Sequence, residues 1–95
     1  MPTNRSIVVH VPTPLRDTTR GERELRFEAS NLHDVLAHLE HAYPALHRSI
    51  CEDHGGVRKH INLFVNRSHM RDRDGLATPL SPGDVVMIMT AVSGG

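Results

Sequence analysis

The sequence closes on Gly94-Gly95, and a terminal glycine carboxylate has a definite chemistry once a partner enzyme activates it. The Gly95 carbonyl has no Cβ beside it to obstruct attack, and Gly94 takes backbone conformations that other residues resist. A tail of this kind can thread a narrow enzyme tunnel. A partner enzyme with ATP can convert such a carboxylate to an acyl-adenylate, and a sulfur donor can then displace AMP to leave a nucleophilic thiocarboxylate. Two glycines alone also suit a processed linker stub, so what precedes them matters. Asp84 to Thr90 (DVVMIMT) reads as a strand, which puts the glycines on a folded edge with almost no linker.

Other candidate chemistry is weaker. Among eight histidines, Asp34, His38 and His41 fall at i, i+4 and i+7 of one helix flank, close enough to share an ion. No CxxC or HExxH pattern accompanies them, and that flank is where solvated residues belong anyway, so no metal is expected. Cys51 and His54 form a weak pair, and a lone cysteine near the end of an apolar helix belongs to the core. Gly55-Gly56 lacks the Lys-Ser/Thr of a phosphate-binding loop. The chain is expected to be no enzyme and to bind no cofactor, ATP being used by the activating partner.

Composition narrows the partners. Ninety-five residues make one small domain, with 38% hydrophobic content and three aromatics, so its core is aliphatic. Eleven basic residues balance eleven acidic ones without a long block of either sign, which argues against nucleic acid. The apolar runs are far short of a membrane span, and no signal peptide opens the chain. One cysteine cannot form an internal disulfide, so a reducing, cytoplasmic location is expected, with a monomer when free.

The elements that must position the tail follow from periodicity. Ser6 to Val11 is a β-branched run ended by Pro12-Thr13-Pro14, expected to form an extended turn. Glu22 to Ala29 alternates, with Leu25, Phe27 and Ala29 on one face, and hairpins back through a loop carrying Gly21. Ser30 or Asn31 caps a helix whose stripe is Leu32, Val35, Leu36, Leu39 and Tyr43. Pro44 ends it or starts a short helix over Ala45 to Cys51. Lys59 to Asn66 reads as the third strand, His69 to Arg71 as a short fourth, and Asp84 to Thr90 as the last. Two strands, a helix and then more strands make an α+β sheet with the helix on one face. Residues 1–95 form a single domain with a functional tail at 91–95.

Strand parity supplies a second clue. With Ile61, Leu63 and Val65 turned to the helix, Phe64 points out of the other face. With Val86 and Ile88 turned to it, Val85, Met87 and Met89 point away. Val8 completes an apolar patch on a sheet face that has no helix to cover it, and methionine suits a surface that meets several partners. A register shift of one residue would exchange the faces.

Phe64-Val65-Asn66, Arg71, Gly75-Leu76-Ala77-Thr78-Pro79-Leu80, Gly83-Asp84-Val85-Val86 and Ala91-Val92-Ser93-Gly94-Gly95 occur in that order. Together they resemble the ubiquitin-like sulfur carrier proteins related to ThiS and MoaD. Ile7 to Val11 followed by Pro12-Thr13-Pro14-Leu15-Arg16 is similar to the longer MoaD-like members, and the insert from Pro44 to Arg58 to the carriers that serve cysteine synthesis. The resemblance implies a β-grasp fold, a mixed four- to five-stranded sheet with one main helix packed on one face. It implies that a ubiquitin-activating-type adenylating enzyme, MoeB/ThiF-like, activates the tail. A sulfur donor then loads it, and a downstream synthase accepts the sulfur. It assigns Gly95 as the acyl carrier, Gly94, Ser93 and Val92 as the tail, and Phe64, Met87 and Met89 as docking residues. Thr90 stands where many relatives have proline, and Ser93 where alanine is common. The alternative role is a ubiquitin-like modifier joined to lysines through Gly95.

Overall fold

The computed structural model describes residues 6–90. Strand β1 (Ser6–His10) forms an antiparallel hairpin with β2 (Glu24–Glu28). Helices α1 (Leu32–Ala42) and α2 (Pro44–Ile50) follow, then β3 (Ile61–Val65), the two-residue β4 (Ser68–His69) and β5 (Val85–Thr90). The sheet order is β2-β1-β5-β3-β4. The last strand therefore lies in the centre, parallel to β1 on one side and antiparallel to β3 on the other.

One face of this sheet is the core. Ile7, Val9, Leu25, Ile61, Leu63, Val65, Val86 and Ile88 are buried against Leu32, Val35, Leu36 and Leu39 of α1 and Leu46 and Ile50 of α2. Burial alternates along β1, β3 and β5 as the pleat requires. Phe27 is half-buried and stacks on His38 of α1, with ring centroids 5.0 Å apart. The cap of α1 is Asn31, whose Oδ1 accepts the Asp34 N–H at 2.8 Å. Asp34 Oδ2 returns the favour by accepting the Ser30 N–H at 2.9 Å, a reciprocal pairing that holds the helix start.

The structure departs from the sequence reading in several places. Residues Thr13–Thr19 form a 3-10 helix and not an extended turn, because proline at the first helical positions presets the φ that such a turn needs. Its end, Arg20, takes a left-handed φ of 58°. Pro44 does start the short helix α2, but the helix stops at Ile50, one residue before the expected end, with Cys51 extended and bridged to Val57. Lys59 and His60 lie in a turn before β3. Arg71 belongs to a 3-10 turn over Met70–Asp72, so β4 is only Ser68–His69. Among the described residues no helix is long and apolar enough to cross a membrane.

Candidate functional site: the central strand and the open sheet face

The segments that carry the sequence resemblance hold β5 in place. Asn66, at a left-handed φ of 57° that asparagine tolerates, bonds three ways across the sheet. Its backbone N–H donates to the Val85 carbonyl at 2.7 Å, its Oδ1 accepts the Val85 N–H at 3.0 Å, and its Nδ2 donates to Asp84 Oδ1 at 3.2 Å. Asp84 Oδ2 accepts the Ser81 N–H at 2.8 Å, closing the turn into the strand. Gly83 occupies that turn with a φ of 89°, a conformation costly for any residue with a Cβ.

Thr78 does similar work from the other end of the connection. It is fully buried, its Oγ1 donates to the Gly75 carbonyl at 2.6 Å and accepts the Asp74 N–H at 3.1 Å. Its carbonyl accepts the Leu32 N–H at 3.3 Å, and the Leu80 N–H donates to the Ser30 carbonyl at 2.9 Å. The run from Gly75 to Leu80 is thereby sewn to the start of α1. The result is a last strand clamped on both edges before it reaches Thr90.

The opposite sheet face carries no helix among the described residues. Phe64 and Met87 are register partners on β3 and β5 and point to this face together. Val8 and Val85 pair beside them, and Met89 stands two residues further along β5 with 45% of its surface exposed. Phe64 and Met87 are half-buried, because neighbours crowd their flanks. His69 meets the Phe64 ring edge-on at 5.1 Å and holds Asn62 Oδ1 at 2.9 Å through Nε2. His10, opposite Met87, lies 3.4 Å from Glu24. An apolar centre is thus rimmed by two imidazoles, the Asn62 amide and the Glu24 carboxylate. His10, Glu24, Asn62 and His69 were not singled out by sequence, since only strand pairing puts them beside Phe64 and Met87.

Phe64, Met87 and Met89 are therefore brought to one surface. Val92, Ser93, Gly94 and Gly95 lie outside the described residues. Of the candidate metal flank, Asp34 is engaged in capping and His38 in stacking on Phe27. Among the described residues no group of three or more His, Cys, Asp or Glu could hold a metal ion. Cys51 is buried, and burial pushes its thiol above the ordinary range.

A mixed sheet whose first and last strands are parallel neighbours, with a helix across one face, is the ubiquitin-like β-grasp architecture. Comparison with known proteins takes the assignment further. The ThiS family model matches residues 9–95, and the chain belongs to that family. Sulfur carrier protein CysO of Mycobacterium tuberculosis (strain ATCC 25618 / H37Rv) is 32% identical over 92 residues, covering 95% of this chain and 99% of that protein. The crystal structure of M. tuberculosis CysO superposes with a TM-score of 0.82 at 31% identity, over 90% of this chain and 99% of the other. A chain of the Amycolatopsis orientalis BexX/CysO complex gives a TM-score of 0.85 at 26% identity, over 94% and 99%. Small archaeal modifier protein 1 from Methanosarcina acetivorans gives 0.84 at 31% identity, over 96% and 97%.

Proposed function

We propose that this chain is a sulfur carrier whose Gly95 carboxylate is adenylated by a MoeB/ThiF-like enzyme and converted to a thiocarboxylate. The observation that carries this reading is the position of β5. It is the central strand, clamped by β1 and β3, and it ends at Thr90, five residues before Gly95. A tail launched from there spans at most about 17 Å when extended, enough to reach into an active site while the body stays at its mouth.

A Gly95 carboxylate oxygen attacks the α-phosphorus of ATP and expels pyrophosphate. Sulfur from a donor then attacks the acyl carbon and expels AMP, leaving the C–S bond in place of one C–O bond. The thiocarboxylate is the nucleophile that a downstream synthase accepts. Phe64, Met87 and Met89 supply the docking surface, with Val92, Ser93 and Gly94 as the threaded tail. The chain itself supplies the acyl group and the docking, and its partners supply the catalysis.

The test is intact mass after incubating the purified chain with ATP, an adenylating enzyme of this type and sulfide. Exchange of one oxygen for sulfur is expected, and deletion of Gly95 should abolish it. A second reading is a protein modifier, favoured by the likeness to the archaeal modifier. An unchanged mass, with lysine conjugates of this chain appearing in cell extract, would replace the carrier by the modifier.

A further inference from the structure

Pairing between β1 and β5 stops at His10 opposite Met87, although β5 runs on to Thr90. Pro12 is the reason. The Val8 N–H donates to the Asp84 carbonyl at 3.0 Å, and a parallel ladder repeats such a bond at every second residue. His10 takes the next position and Pro12 the one after, where the ladder needs an N–H that proline lacks. The chain turns there toward the 3-10 helix at Thr13–Thr19. On the other edge, β3 keeps pairing as far as Ile61 opposite Thr90. By the same alternation the Ile88 carbonyl and the Thr90 N–H point to the β1 side, beyond the last β1 pair.

A groove of about 280 Å³ lies at this place, lined by Pro12, Arg16, Met87, Met89 and Thr90 among others. It continues into a hollow of about 260 Å³ that shares His10, Val11 and Arg16 and adds Arg23 and Glu24. Arg16 is steadied by its Nε, which donates to the Val11 carbonyl at 3.0 Å and leaves its terminal N–H groups available. Among the described residues neither Arg16 nor Arg23 has an ion-pair partner, and Glu24 sits against His10. In a chain of zero formal net charge, this corner is locally basic.

We propose that this groove is a strand-addition site for an extended acidic segment of a partner protein. Its backbone pairs with Ile88 and Thr90, its apolar side chains lie on Met87 and Met89, and its carboxylate engages Arg16 and Arg23. Charge complementarity selects this occupant. A second copy of the chain would set the same arginines against each other. The site needs only the folded body, so it stands independently of sulfur transfer.

The experiment is an amide NMR titration of the full chain with acetyl-Val-Glu-Val-Glu-Val-amide, alongside the same peptide with Gln for Glu. Shifts at Met89 and Thr90 and slowed exchange of the Thr90 N–H are expected. The Gln peptide should bind about tenfold more weakly, the equivalent of one charge-assisted hydrogen bond. Arg16→Gln and Arg23→Gln should each weaken the Glu peptide. Should Arg16→Gln lose its fold, Arg23→Gln decides, since its side chain has no hydrogen bond or ion pair among the described residues to break. Equal binding of both peptides, or shifts confined to Phe64 and Val8, overturns the proposal. So does an Arg23→Gln chain that binds as tightly as the parent.

Discussion

Ile88→Ala and Met89→Ala perturb adjacent residues of one strand that face opposite sides of the sheet. Ile88 is 2% exposed within the core, whereas Met89 is 45% exposed on the open face. Truncating Ile88 removes Cγ1, Cγ2 and Cδ1, whose lost transfer energy is about 2.4 kcal/mol at about 0.8 kcal/mol per carbon. Incomplete collapse around the gap adds about 1 kcal/mol, so about 3–4 kcal/mol is expected. That is a large share of the roughly 5–14 kcal/mol available to a domain of this size. Thermal melting should fall by roughly 12–30 °C, from roughly 4–8 °C per kcal/mol. Met89→Ala leaves no enclosed cavity and should cost about 1 kcal/mol or less. Urea unfolding, with the m-value checked for constancy, separates the two. Equal losses, or the larger loss at Met89, would refute the assignment of faces and with it the open surface.

Two further outcomes are expected. Met87→Lys should leave melting nearly unchanged, because the lysine stem can lie along the sheet while its ammonium reaches water. It should weaken binding to the adenylating partner by about tenfold or more, since a charge then enters a desolvated contact; unfolding of the variant, or undiminished binding, would argue against the docking role. Burial holds the Cys51 thiol above its ordinary value of 9.0, with Arg58 opposing and Glu40 reinforcing the shift. The unfolded chain thus loses that proton first, so the thiol's contribution to stability is whole below 9.0 and declines as pH rises past it. Cys51→Ala should flatten that decline, measured as the urea midpoint on either side of 9.0, and parallel profiles for the two chains would contradict it.

Periodicity alone carried the sequence a long way, because burial of one face imposes it directly on the residues. The 3.6-residue stripe of Leu32, Val35, Leu36 and Leu39 and the alternation of Ile61, Leu63 and Val65 are local consequences of that burial, so the faces of α1 and β3 were legible. In β5 both faces are apolar, and only the fold decides that Val86 and Ile88 turn inward. The Pro12-Thr13-Pro14 run was not, since proline marks a break equally well before an extended turn and before a 3-10 helix.

The sequence by itself determined an aliphatic α+β fold with a strand shortly before Gly94-Gly95, and it set Phe64 on the face opposite Ile61, Leu63 and Val65. That Met87 and Met89 join Phe64 on that face was settled by the pairing of β3 with β5. Only the tertiary structure decided that the last strand is the central one. Strand order depends on pairings between distant segments, such as Val8 with Val85 and Asn66 with Asp84, which no local pattern encodes. The same holds for His69 on Phe64 and for the stretch of β5 beyond its last β1 pair, beside Arg16. Pro12 is visible in the sequence as a ladder breaker, but its consequence for Ile88 and Thr90 exists only once the two strands lie side by side.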